Sequence, residues 1–174
     1  MSTLAIAAGL VLLVLFALAL VAYLLPRERT STVTVDFDAS PEEVYDVYAD
    51  PASQPSWRDG VASVDLTADT FPRAWVEHLR RGPAIHFEEV EAIPSRLYRL
   101  RTSAPGRFRG TYDARFEAVG GGRTRGTFTE QITTEGPWAT LLMRVFVDLD
   151  EEIRTYAEEA TAEIARRRSG GRGR

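Results

Sequence analysis

The feature that most restricts this chain is a long amphipathic run near its end. Between Gly136-Pro137 and Ser169-Gly170-Gly171, Leu142, Phe146, Leu149, Ile153, Tyr156, Ala160 and Ile164 recur at steps of three or four. This draws one apolar stripe along a single predicted helix over 137–168. Such a stripe must be covered. Almost everything from Thr30 to Glu135 alternates as strands do, so the economical partner is a curved antiparallel sheet wrapped around the helix.

The sheet is read from its alternation. Phe108-x-Gly110-x-Tyr112-x-Ala114-x-Phe116 places apolar or small residues on one face, while Arg107, Arg109, Thr111, Asp113, Arg115 and Glu117 take the other. One face is dry and one wet, as in an antiparallel sheet covered on a single side. Further strands are expected at about 61–68, 74–81, 84–92 and 96–103, and a Gly120-Gly121-Gly122 hairpin leads into the last, near 124–134. Arg99 and Arg101 fall on the wet face. The small inward residues Gly110, Ala114 and Gly126 either leave space beneath the helix or mark bulges that bend the sheet.

Ahead of these, Thr32-Val33-Thr34-Val35-Asp36-Phe37 reads as a half-buried strand. Ser40-Pro41-Glu42-Glu43 then opens a short helix, with Ser40 as N-cap, Pro41 in its first turn and Glu43 at the capping-box position. Asp50-Pro51 ends that helix, and a second short helical turn closes on Trp57. The order is strand, two short helices, six strands, long helix.

The first residues belong to a different environment. Leu4 to Leu25 carries no charge over 22 residues, roughly 33 Å as a helix and enough for a bilayer core. A transmembrane anchor is the favoured reading. A cleaved signal peptide is the rival: Ala17-Leu18-Ala19 resembles a cleavage site, but no base precedes the apolar run. Arg27 and Arg29 flank only its C-terminal end, which places the N-terminus outside and the domain in the cytoplasm of a single-pass membrane protein. Domain boundaries follow: 1–29 anchor and linker, 30–168 the folded domain, 169–174 a disordered Arg/Gly tail.

Composition excludes more chemistry than it suggests. With no Cys, there is no disulfide framework, thiolate metal site or cysteine nucleophile. Five arginines lie in the last nine residues, so the remainder is more acidic than the net charge of −4, and no nucleic-acid partner is expected. Gly120–Gly126 does not satisfy G-x-G-x-x-G and lies between strands, and no P-loop is present. No cofactor or metal is implied. The tail from Arg166 to Arg174 has three readings: a solubilising end that complements the helix dipole, a contact for anionic lipid headgroups, or, least supported, an RNA-binding segment.

These elements resemble the helix-grip superfamily of START, Bet v 1 and polyketide cyclase/dehydrase-like (SRPBCC) proteins. The resemblance rests on Val35-x-Phe37-x-Ala39-Ser40-Pro41-Glu42-Glu43-Val44-Tyr45 with Asp50-Pro51 and Trp57, on Phe116-Glu117 before the glycine hairpin, and on Gly136-Pro137. It implies an α+β fold of about seven strands gripping the C-terminal helix, with a mostly apolar cavity between them for a lipid or other small hydrophobic ligand. Trp57, Phe108, Tyr112, Phe116, Phe128, Leu142, Phe146 and Leu149 are the candidate ligand-binding residues. Leu142, Phe146 and Leu149 form the roof, while Ile153, Tyr156 and Ile164 close the far end.

A catalytic constellation is not evident. Candidates are Glu130, His78 and His86. Counting by twos from Phe128 and Ile132 points Glu130 inward, where an apolar setting raises its proton affinity; a bulge would turn it outward, and that plainer reading is preferred. The histidines lie on neighbouring strands, where a surface position is the ordinary one, and no third ligand follows for a metal. Three functions remain: a membrane-anchored hydrophobic-ligand carrier, a cyclase/dehydrase-type enzyme, and an interaction scaffold with a sealed interior.

Overall fold

The computed structural model describes residues 3–171, with side chains described from 6 to 170. Seven strands form one antiparallel sheet: β1 (Glu28–Phe37), β2 (Val61–Ala68), β3 (Ala74–Leu79), β4 (Ile85–Ile93), β5 (Leu97–Ala104), β6 (Phe108–Gly120) and β7 (Arg123–Thr134). Their spatial order is β1-β7-β6-β5-β4-β3-β2. Strand one therefore pairs with strand seven, and the two edges are β1 and β2. Register shifts at Val61/Ser63, Leu66/Ala68, Glu89/Glu91 and Ala118/Gly120 add local twist, which helps the sheet curl.

The helix α1 (Thr3–Leu24) precedes the sheet, and α2 (Pro41–Tyr48) with a 3-10 turn (Pro51–Ser56) fills the β1–β2 connection. Ser40 caps α2 as expected: the Glu43 amide donates to its hydroxyl, and its own amide donates to the Glu43 carboxylate at 2.9 Å. From α2, Val44, Tyr45, Val47 and Tyr48 are buried, and this face closes one end of the concave sheet. The outer face is wet. Arg99 bridges Glu91 and Asp113, Arg101 pairs with Glu88, and Arg125 with Asp36, all as cross-strand neighbours.

The expected single C-terminal helix is two. α3 (Pro137–Phe146) stops, Val147 is extended, and α4 (Leu149–Gly171) starts afresh after Asp148. The Asp148 carboxylate accepts from the amides of Asp150 and Glu151 at 3.0 and 3.3 Å. At the end of α3 the Val147 amide donates to the Met143 carbonyl at 3.1 Å, and the Arg29 guanidinium donates to the carbonyls of Met143 and Val147 at 3.1 and 3.0 Å. Asp148-x-x-Glu151 is a legible N-terminus signal; the apolar periodicity running through it conceals the break.

α4 runs to Gly171, so residues 169–171 are helical, and Arg172 and Arg174 lie outside the described residues. Arg166 and Arg167 pair with the buried Glu163, Arg167 also with Asp50, and Arg168 with Glu43. Arg167 and Arg168 fasten the helix to the turn after α2 and to α2 itself, while Arg166 pairs only within α4. A headgroup role for the tail therefore gains nothing from them.

The expected glycine roles also change. The ladders run unbroken through Gly110 and Gly126, so neither is a bulge. A Cβ on Gly126 would sit 2.7–2.8 Å from the rings of Phe128 and Phe37, and one on Gly110 would lie 2.1 Å from the Gln131 carbonyl oxygen. Both positions are occupied by neighbours and leave no free space.

Candidate functional site

Sheet, α3 and α4 enclose a cavity of about 760 Å³, the size range of small-molecule sites. It lies between two apolar clusters. One, built on Phe37, Tyr48, Phe116, Phe128, Ile153 and Ile164, packs the closed end; the other, Ala104, Phe108, Ile132 and Leu149, lies toward α3. Exposed lining residues mark the opening: Trp138, Leu142 and Phe146 from α3, Arg81-Gly82 from the β3–β4 turn, Gly106-Arg107 from the β5–β6 turn, and Glu152 from α4.

The strands set the lining by their alternation. β3 turns Trp75 and Glu77 inward, β5 turns Tyr98, Leu100 and Thr102 inward, and β6 contributes Phe108 and Tyr112. Most of this wall is apolar, so each polar group on it requires an account.

One polar cluster is fully engaged. Arg58 Nη1 donates to Glu77 Oε2 at 2.9 Å and to Gln54 Oε1 at 2.6 Å. Trp75 Nε1 donates to Glu77 Oε1 at 3.3 Å, and Gln54 Nε2 to the Tyr156 hydroxyl at 3.2 Å. The Arg58 guanidinium lies 4.3 Å from the Tyr156 ring centroid, a cation–π distance. Burial opposes its charge, but Glu77 more than offsets this, so the proton is held more firmly than usual. A second buried carboxylate, Glu89, is neutralised by Arg73 and does not line the cavity.

Other polar groups have no protein partner. The hydroxyls of Tyr48, Tyr98, Thr102 and Tyr112 are buried and unbonded, and all four residues line the cavity. Burial pushes the Tyr48 and Tyr112 phenols up, so both stay protonated. Glu130 also lines the wall. Burial, and then the charge of Glu152, push its carboxyl up to about 7.

Glu130 thus points inward, against the preferred outward reading, because β7 keeps its register from Thr124 to Thr134 without a bulge. The histidines do not join it. His78 is exposed and hydrogen-bonded to Asp65 at 2.9 Å, and His86 is exposed on β4, since both occupy wet-face positions of their strands. Among the described residues no cluster of three His, Cys, Asp or Glu could hold a metal.

Of the eight candidate ligand-binding residues, Phe108, Tyr112, Leu142, Phe146 and Leu149 lie on the wall. Trp57, Phe116 and Phe128 stand behind it. Tyr48, projecting from α2, stacks on Phe128 at 5.0 Å and meets Phe116 at 5.6 Å, covering that end of the sheet, while Trp57 stacks on the outer side of Tyr156 at 5.8 Å. Ile153 and Tyr156 line the cavity, and Ile164 lies in the core beyond it. Arg58, Gln54 and Glu77 are the polar wall residues that sequence reasoning missed. The one available signal was Glu77, a carboxylate at an inward position between Trp75 and Leu79.

A sheet gripping a C-terminal helix over an open cavity defines a START-like ligand-binding domain. The chain belongs to the family described as polyketide cyclase / dehydrase and lipid transport, whose model matches residues 28–165. No curated protein sequence matches significantly. Among solved structures, the ZhuI aromatase/cyclase from Streptomyces sp. R1128 is similar with a TM-score of 0.70 at 15% identity, covering 80% of this chain and 95% of that one. Norcoclaurine synthase from Thalictrum flavum gives 0.65 at 8% identity, covering 81% and 96%. A START superfamily protein from Mycobacterium smegmatis gives 0.62 at 13%, covering 79% and 97%. At these identities the likeness is one of fold.

Proposed function

We propose that this protein is a membrane-anchored carrier that holds a lipid or other small hydrophobic molecule between its sheet and C-terminal helix. The open, mostly apolar cavity of about 760 Å³ carries the reading. The family description, which includes lipid transport, supports it. Residues Ile6–Leu24 of α1 are long and apolar enough to cross a bilayer, and of their side chains only Ala22 is buried against the domain. With Arg27 and Arg29 following, the domain lies on the cytoplasmic side. An opening into the interior weighs against a sealed scaffold.

Native mass spectrometry of the full chain released from detergent tests this reading. The expected result is a bound apolar molecule on the wild type that is lost in Leu100→Trp, a wall variant checked for folding by circular dichroism. Equal adducts on both, or none on either together with no uptake of 1-anilinonaphthalene-8-sulfonate, would overturn it.

A second reading, a cyclase/dehydrase-type enzyme, is favoured by Glu130 alone. A carboxyl titrating near 7 inside an apolar cavity is matched to proton transfer at neutral pH. Its test is chemical change in the bound molecule: a ligand recovered unaltered from wild type and from Glu130→Gln alike rules the enzyme out.

A further inference from the structure

The reading of α1 as a span has a consequence for α3. In α3, Trp138, Leu142, Val145 and Phe146 follow at steps of four, three and one, so they share one face of the helix. All four are exposed, Phe146 by 77%. On the opposite side Thr140 is buried. α3 contains no acid, and its only charge is Arg144. Large apolar side chains grouped on one exposed face require a partner.

The chain leaving α1 holds α3 at both ends. α1 packs against α3, and Ala22, in its last turns, is the one buried side chain among those described in α1. Only Leu25–Arg27 separates α1 from β1, a reach of at most about 10 Å. At the start of α3, the Thr134 amide and hydroxyl donate to the Arg27 carbonyl at 2.9 and 3.2 Å, Thr134 and Thr140 hydroxyls lie 2.6 Å apart, and Thr140 donates to the Gly136 carbonyl. At its end, Arg29 takes the carbonyls of Met143 and Val147. A helix so tied to the exit of a membrane span cannot stand away from that membrane.

We infer that the exposed face of α3 lies in the bilayer at the headgroup–acyl boundary, and that the cavity opens there. The occupant of the face is lipid. Its chemistry fits: an amphipathic helix with Trp and Phe on the apolar side seats at this depth. Arg81 and Arg107, exposed on the same opening, and Arg144 make no ion pair among the described residues, while the acids at the rim are Glu152 and Glu135, whose carboxylate accepts from the Gly106 amide at 3.0 Å. This excess of free guanidinium groups suits anionic headgroups. Trp138, Leu142 and Phe146 both line the opening and face outward, so an acyl chain passes from leaflet to cavity without crossing water.

The inference rests on the anchor reading, and one experiment separates the two. Because the chain has no Cys, single-cysteine variants Val14→Cys in α1, Val145→Cys in α3 and Glu117→Cys on the wet face each take one NBD label. The full chain is placed in vesicles of phosphatidylcholine with phosphatidylglycerol, with and without acyl-brominated lipid. The expected result is blue-shifted emission and bromine quenching at 14 and 145, with neither at 117. Quenching at 14 with water-like emission at 145 would overturn the α3 placement and leave the anchor standing. Blue-shifted but unquenched emission at 145 would mean a protein partner, such as a second copy, and would equally overturn it. No quenching at 14 or 145 would overturn both readings. Trp138 provides a label-free check: brominated lipid must quench tryptophan emission in the wild type and lose that component in Trp138→Ser.

Discussion

Arg58 Nη1 lies 2.9 Å from Glu77 Oε2 on the wall of an otherwise apolar cavity. The Glu77 side chain is 2% exposed and that of Arg58 20%. Removing one partner of a buried pair strands the other's charge, a loss of roughly 3–5 kcal/mol. Since Arg58 keeps some contact with water, Glu77→Gln is expected near the lower end, about 3 kcal/mol by urea denaturation. Arg58→Met with Glu77→Met should recover much of it. A single variant as stable as the wild type would mean that water reaches the pair freely.

Glu130 makes stability depend on pH in the opposite sense from most carboxylates. Its folded value, about 7, lies above the ordinary glutamate value of 4.5. The folded state therefore binds the extra proton between these values, and stability falls as pH rises from 4.5 through 7. The loss is on the order of 3 kcal/mol. Glu130→Gln is expected to flatten this slope and to be more stable than wild type at pH 8, as read by thermal melts across pH 4–9.

Glu43 works the other way. The Arg168 hydrogen bond, and then the Ser40 amide, hold its carboxyl at about 2. This contribution is present above pH 4.5 and lost as pH falls toward 2. Both side chains are about two-fifths exposed, so the effect on stability is small. Carboxyl carbon NMR provides the direct readout: Arg168→Ala should raise the Glu43 titration toward its ordinary range.

Gly126→Ala is expected to destabilise by about 1–3 kcal/mol, the usual cost of overpacking. Its Cβ would enter the space held by the rings of Phe37 and Phe128, themselves edge-on at 6.1 Å. Urea midpoints of the alanine variant, with m unchanged, check this.

Phe146 and Ile164 lay on one predicted stripe yet should respond differently. Ile164 is 5% exposed in the main core, so Ile164→Ala should cost roughly 2–5 kcal/mol while folded molecules bind ligand normally. Phe146 stands at the opening, and Phe146→Ala should leave stability nearly unchanged and lower the bound fraction in native mass spectra. Equal effects on both measurements would make α3 plain core.

The fold was legible because alternation and helical periodicity are local properties. Val33, Val35 and Phe37, the Ser40–Glu43 capping box, and the inward run from Phe108 to Phe116 each declare their element within a few residues. The amphipathic stripe and the uncharged start were equally readable. The break at Val147-Asp148 was not, because apolar residues continue across it and the group that completes it, Arg29, is more than a hundred residues away.

The candidate site depended on tertiary structure. Period-2 counting puts Glu130 and Phe128 on the same face, yet one lines a cavity and the other is sealed behind Tyr48, a distinction set by where α2 crosses the sheet. The Arg58–Glu77 pair joins a turn to a strand, and no spacing announces it. A face is a one-dimensional property of a strand or helix. A cavity is the space left when several faces meet, so it is decided by how far apart α2, α3 and α4 stand above the sheet.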